Sequence, residues 1–92
     1  IGVCYNSLKE YSDAIKYYDK AIEIDPNNSG AYNNKGNSLK NLNKYDEAIK
    51  CYDKAIEINP KDSDAYINKG VSLNNLNKYD EAIKCYDKAI EI

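Results

Sequence analysis

The side chains best able to make directed contacts are carboxamides, and they recur in register. Asn34 and Asn68 stand 34 residues apart, and so do Asn41 and Asn75. An Asn side chain offers both a donor and an acceptor, so it can pair with a peptide group in either direction. A row of them, one per structural unit, would hold an extended chain with little regard to its side chains. The competing explanation is codon usage rich in A and T, which raises Asn, Lys, Ile and Tyr together, and composition leaves both open. Chemistry of other kinds is absent from the pattern. There is no His, no nucleophile beside a plausible base and no glycine-rich phosphate loop, so no enzyme is expected. Asp13 and Glu47 fall at cap positions, away from any cleft.

The three cysteines, Cys4, Cys51 and Cys85, are odd in number and include no Cys-x-x-Cys pair. They are neither a disulfide framework nor a zinc site, and no metal or cofactor is expected. Free thiols point to a reducing, cytoplasmic setting. Cys85, near an open end, is a candidate for reaction between chains. A net charge of −2 gives no reason to expect nucleic acid or an anionic membrane as partner. No apolar run approaches a membrane span, and no basic-then-apolar leader precedes the pattern.

These residues need elements to position them, and the elements repeat. Ile22-Glu23-Ile24-Asp25-Pro26 returns as Ile56-Glu57-Ile58-Asn59-Pro60, an interval of 34 residues that belongs to solenoid architectures. Each period holds two helical patterns. The first is Ala31–Asn43, with Ala31, Tyr32, Lys35, Leu39 and Leu42 on one side. The second is Asp46–Ile58, with Ala48, Ile49, Tyr52, Ala55, Ile56 and Ile58 at helical spacing. Asp46 is the expected N-cap of the second helix, Asp62 or Ser63 that of the next first helix, and Pro60 the stop. Asn43-Lys44 is the tight joint. Gly2, Gly36 and Gly70, with Ala14, Ala48 and Ala82, allow close helix approach, and Tyr18, Tyr52 and Tyr86 are the knobs that fill between. Asp46–Lys50, Lys50–Asp53 and Lys54–Glu57 have the spacing of weak surface pairs.

The pattern resembles the tetratricopeptide repeat: Tyr32, Gly36, Leu39, Ala48, Tyr52, Ala55 and Pro60 match its spacing, as do Tyr66, Gly70, Leu73, Ala82, Tyr86 and Ala89. Lys35 and Lys69 depart from it, standing where the family usually has Leu. The 35-residue pentatricopeptide family, which binds RNA, fits the period, the Ala and Pro positions and the charge less well. The resemblance implies an all-α, right-handed α-solenoid of antiparallel helix hairpins. Residues 1–92 form a single array of about two and three-quarter repeats: a partial repeat 1–28, a repeat 29–62 and a repeat 63–92 lacking its end. It also implies that the first helices line a concave groove.

Copies 29–58 and 63–92 differ at four positions of thirty: Gly30/Asp64, Asn33/Ile67, Asn37/Val71 and Lys40/Asn74. Steps of three, four and three residues define one stripe on the first helix, which the resemblance places in the groove. Either the stripe is varied to suit a ligand or exposed positions have drifted, although the equally exposed Lys50, Asp53, Lys54 and Glu57 have not. The resulting expectation is a scaffold that binds a protein or peptide through Asn33, Asn34, Asn37, Lys40, Asn41, Asp64, Ile67, Asn68, Val71, Asn74 and Asn75. The asparagine row is similar to the ladder in the repeat arms of some glycosyltransferases. The clamp by which some family members grip a C-terminal carboxylate fits poorly. Asn34 matches it, but Val3 stands for Asn, Asp64 for Lys and Asn68 for Arg, and an Asp repels a carboxylate. The alternative is self-association, with the uncapped ends Gly2–Leu8 and Ala82–Ile92 stacking head to tail.

Overall fold

The computed structural model describes the backbone of residues 2–92 and the side chains of residues 9–92. Expectations that rest on the side chains of Val3, Cys4 and the end Gly2–Leu8 lie outside that range. Five helices follow one another: α1 (Gly2–Ile24), α2 (Ser29–Asn41), α3 (Tyr45–Ile58), α4 (Ser63–Asn75) and α5 (Tyr79–Glu91). The fold is an all-α solenoid in which each helix packs on the next.

The first helices start and stop two residues earlier than the apolar pattern suggests. Asn28 and Asp62 cap them, each accepting a hydrogen bond from the amide three residues on, at Ala31 (3.1 Å) and Ala65 (3.3 Å). At the far end Asn43 and Asn77 adopt φ 63°, the left-handed region. The amides of Asn43 and Lys44 then bond back to Lys40 O (2.9 Å) and Leu39 O (2.8 Å), closing a Schellman turn. Tyr45 and Tyr79 lock these turns by donating to the side-chain oxygens of Asn43 (3.0 Å) and Asn77 (2.7 Å). Because α3 begins directly at Tyr45, its N-cap is Lys44, which makes no side-chain cap bond. Asp46 is therefore not the cap but a first-turn residue beside Glu47.

In the first copy α1 continues as one helix through the place where the other copies turn. Lys9 occupies the position of Asn43 and Asn77, and a left-handed Lys costs about 1 kcal/mol or more relative to helical backbone. One consequence is that Tyr17 is 73% exposed, edge-on to Tyr18, whereas its counterpart Cys51 is buried.

Inside a hairpin, contact is set by glycine. A Cβ on Gly36 would lie 2.6 Å from Cε1 of Tyr52, and one on Gly70 would lie 2.7 Å from Cε1 of Tyr86. Tyr52 is fully buried, and Leu39, Ala48 and Cys51 complete its cluster, with Ile15 of α1 packed against it. The equivalent cluster is Leu73, Ala82 and Cys85, closed by Ile49 of α3 and Tyr86.

Two ion pairs repeat the same join between copies. Lys35 of α2 meets Asp19 of α1 at 2.6 Å, and Lys69 of α4 meets Asp53 of α3 at 2.6 Å. These lysines thus reach the preceding helix instead of burying against it as Leu would. Asp53 is drawn away from Lys50, and neither Lys50–Asp53 nor Asp46–Lys50 is an ion pair. Lys54–Glu57 and Lys88–Glu91 are made, long at 3.8 Å and exposed, a geometry that contributes little.

Candidate functional site

Helices α2 and α4 touch each other, whereas α3 and α5 do not. A stack that is close along one edge and splayed along the other curves toward the close edge, so α2 and α4 form the inner face. Asn68 Nδ2 donates to Asn33 Oδ1 across that edge at 3.1 Å. The bond joins Asn33, in one copy's stripe, to Asn68, which lies next to the stripe of the following copy.

The eleven residues expected at the site divide by what already holds them. Asn33 and Asn68 pair with each other. Asn37 Oδ1 accepts from the Tyr52 hydroxyl at 2.7 Å, and Asn75 Nδ2 donates to Val71 O of its own helix at 3.0 Å. Asn34, Asn41, Asn74 and Asp64 are exposed and make no side-chain hydrogen bond among the described residues; Lys40 and Val71 are half-buried. Ile67 is 42% exposed, an apolar side chain where the other copy has an amide. Two of the four differing positions, Asn33 and Asn37, therefore carry internal bonds in one copy that Ile67 and Val71 cannot make in the other. Spacing alone does not reveal this, because the partners come from another helix.

The Tyr52 phenol shows how firmly that end is held. Burial drives its pKa well above the ordinary tyrosine range. Ser72 sits beside it and opposes the shift weakly, yet its own hydroxyl is fully buried and reaches hydrogen-bond geometry with nothing among the described residues. Tyr52 is thus a neutral donor whose proton is committed to Asn37.

The splayed edge carries a cavity of about 730 Å³, lined by Ile49, Asp53, Lys69, Leu73, Lys84 and Cys85 among others. A smaller copy of about 390 Å³ lies one period earlier around Ile15, Asp19, Lys35 and Cys51. Both are floored by the inter-repeat ion pairs. The hydrogen bond to Asp19 holds the Lys35 ammonium above its usual range, against the effect of burial. At Lys69 burial is the largest influence and lowers the pKa, but the hydrogen bond and charge of Asp53 outweigh it, so the net shift is again upward. Burial pushes the Cys51 and Cys85 thiols up, and the neighbouring lysines oppose this only in part. Each thiol is 9% exposed and protonated at neutral pH, so Cys85 is not poised to react between chains. Among the described residues no His, Cys, Asp and Glu cluster could hold a metal ion, and no helix is long and apolar enough to cross a membrane.

Comparison with known proteins agrees with this geometry. The tetratricopeptide repeat model matches three consecutive segments, residues 1–28, 29–62 and 63–92. Comparison with curated proteins gives no match. Among solved structures, the crystal structure of MamA is 32% identical with a TM-score of 0.86, over 89% of this chain and 48% of that one. The first TPR of Spaghetti (RPAP3), bound to the HSP90 peptide SRMEEVD, is 29% identical with a TM-score of 0.87, over 95% of this chain and 69% of that one. The Sgt2 TPR domain from Aspergillus fumigatus is 30% identical with a TM-score of 0.86, over 90% of this chain and 55% of that one. The chain spans about half the length of the MamA structures it matches.

Proposed function

Since the chain belongs to the tetratricopeptide repeat family, we propose that it is a non-enzymatic protein-interaction scaffold whose inner face holds an extended peptide by side-chain amides. The observation that carries this reading is the state of the asparagines. Asn33–Asn68 ties the two first helices together, while Asn34, Asn41 and Asn74 stand exposed with no side-chain partner among the described residues. Amides held on rigid helices give up little freedom on binding, and each adds a hydrogen bond worth about 0.5–1.5 kcal/mol. Ile67 and Val71 add an apolar seat toward the α4 end.

The peptide favoured is neutral. Spaghetti is seen with SRMEEVD, which ends in a carboxylate-rich stretch. This chain offers Asp64 and amides at the proposed contacts, and Lys40 is the one cation among them. Against an array of extended peptides, neutral sequences are expected to bind and SRMEEVD to bind weakly. The double change Asn34→Ala and Asn41→Ala touches no internal hydrogen bond, so circular dichroism should show unchanged helicity. Affinity should fall roughly tenfold or more; unchanged affinity would sink the proposal. End-to-end stacking of copies is the second reading, and it draws on Ile83 and Ile90, exposed on α5.

A further inference from the structure

We propose that the outer cleft between α3 and α5 is a second binding site, and that its ligand is a small amphiphilic anion, a carboxylate or sulfonate on an apolar body. The cleft lies on the splayed edge, away from the amide row, and is independent of what the inner face binds. Ile49 of α3, Leu73 of α4 and Cys85 of α5 give it an apolar lining beside the Lys69–Asp53 ion pair. Its volume of about 730 Å³ falls within the range of small-molecule sites, roughly 300–1,000 Å³.

The charges around this lining do not cancel. Lys69 is taken up by Asp53 at 2.6 Å. That leaves three cations, Lys50, Lys78 and Lys84, against two carboxylates, Asp46 and Glu81, none of them in an ion pair among the described residues. Position along the helices separates the signs. Asp46 and Glu81 belong to the first turns of α3 and α5. Lys50 and Lys84 follow four and three residues later, about one turn further on, on opposite walls. Each is adjacent in sequence to a residue of the apolar lining, Lys50 to Ile49 and Lys84 to Cys85. A body resting on that lining therefore places its anionic group between two ammoniums. Exposed lysines alone hold a bare anion weakly, because solvent screens them, so the apolar body is part of the recognition.

The cleft one period earlier is an internal control. It repeats the lining as Ile15, Leu39 and Cys51, and Asp19 again takes up the lysine, Lys35. The remaining charges there, Lys50 and Glu47, cancel, and no lysine of α1 faces it among the described residues. Its volume is also smaller, about 390 Å³. Excess positive charge and facing lysines are thus confined to the α3–α5 cleft, which sets one ligand per chain.

The probe is anilinonaphthalene sulfonate, titrated by fluorescence into the 92-residue chain. Saturable binding of one probe per chain is expected, with dodecanoate competing and inorganic phosphate not. Amide shifts in NMR spectra should change most around Ile49, Leu73 and Cys85. Lys50→Gln with Lys84→Gln should weaken binding about tenfold, and Asp46→Asn with Glu81→Gln should tighten it about threefold. Lys20→Gln with Lys61→Gln removes the same charge away from the cleft and should leave the affinity unchanged. None of these side chains makes an ion pair among the described residues, and circular dichroism checks that each variant folds. No saturable binding, an equal loss in the Lys20 and Lys61 variant, or shifts centred outside the cleft overturns the proposal. So does equal affinity for neutral anilinonaphthalene, which would make the site an apolar recess without charge recognition.

Discussion

At the scale of the residue, one repeated pair separates two environments for the same contact. Gly36 and Gly70 face Tyr52 and Tyr86 at nearly the same distance, yet the rings differ in freedom. Tyr52 is fully buried and its hydroxyl is tied to Asn37. Tyr86 is half-buried, and Val71 stands where Asn37 would anchor it. An Ala in a helix gains about 1 kcal/mol over Gly, while overpacking a fixed ring costs about 1–3 kcal/mol. Gly36→Ala should therefore destabilise the chain by up to about 2 kcal/mol, and Gly70→Ala should be close to neutral, as read from urea midpoints. Equal losses would show that both rings are equally fixed. The small-residue contacts were legible in the sequence because Gly, Ala and Tyr recur at one period. That Asn33 and Asn37 already hold internal partners was not, since the partners, Asn68 and Tyr52, come from other helices and identity gives no bond direction.

At the scale of the element, the cap of α4 was legible by residue type, whereas the Asn28 cap of α2 and the ends made by the backbone were misplaced. Asp62 caps α4 as its type and place suggest. α3 starts on a Schellman turn that needs no acidic cap, so Asp46 moved inside the helix. The continuous α1 has the same origin, and its signal was present in the sequence as Lys9 in place of Asn43 and Asn77. A residue tolerant of positive φ should restore the turn. In a background with Cys51→Ala and Cys85→Ala, spin labels at Cys4 and at Glu23→Cys should lie about 29 Å apart along one helix, at 1.5 Å per residue. Lys9→Gly should move a large part of that distribution to roughly half the distance, as α1 folds into a hairpin. An unmoved distribution would place the cause elsewhere than the left-handed position.

At the scale of the whole molecule, the stack is held by joins between copies, and stability in such arrays is close to a sum of units and nearest-neighbour terms. The 34-residue period made the architecture legible. The Lys35–Asp19 and Lys69–Asp53 joins were not, because Lys50 three residues from Asp53 offered a nearer partner in sequence. Both joined lysines have folded pKa values above the usual one, so the folded state holds their protons more tightly than the unfolded chain does. Their contribution is fully present below the unfolded value near 10.4 and is lost as pH rises through the folded values. Tyr52, also raised, acts in the same direction, since its phenolate is disfavoured in the core. The buried Cys51 and Cys85 thiols, raised as well, act the same way from a lower unfolded value. The urea midpoint should then be flat from neutral pH to about 8, begin to fall above about 8.5 and fall more steeply above about 10. The joined side chains are 27% exposed at Lys69 and 52% at Asp53, so solvent screening keeps the pair to about 0.5 kcal/mol. A double-mutant cycle on Lys69→Ala and Asp53→Ala should return that coupling at pH 7, with the larger part lost in 1 M salt at a screening length of about 3 Å. The coupling should vanish as pH rises through the folded value of Lys69. A coupling that survives once Lys69 is neutral would mean that the stems of Lys69 and Asp53, and not their charges, hold α4 to α3.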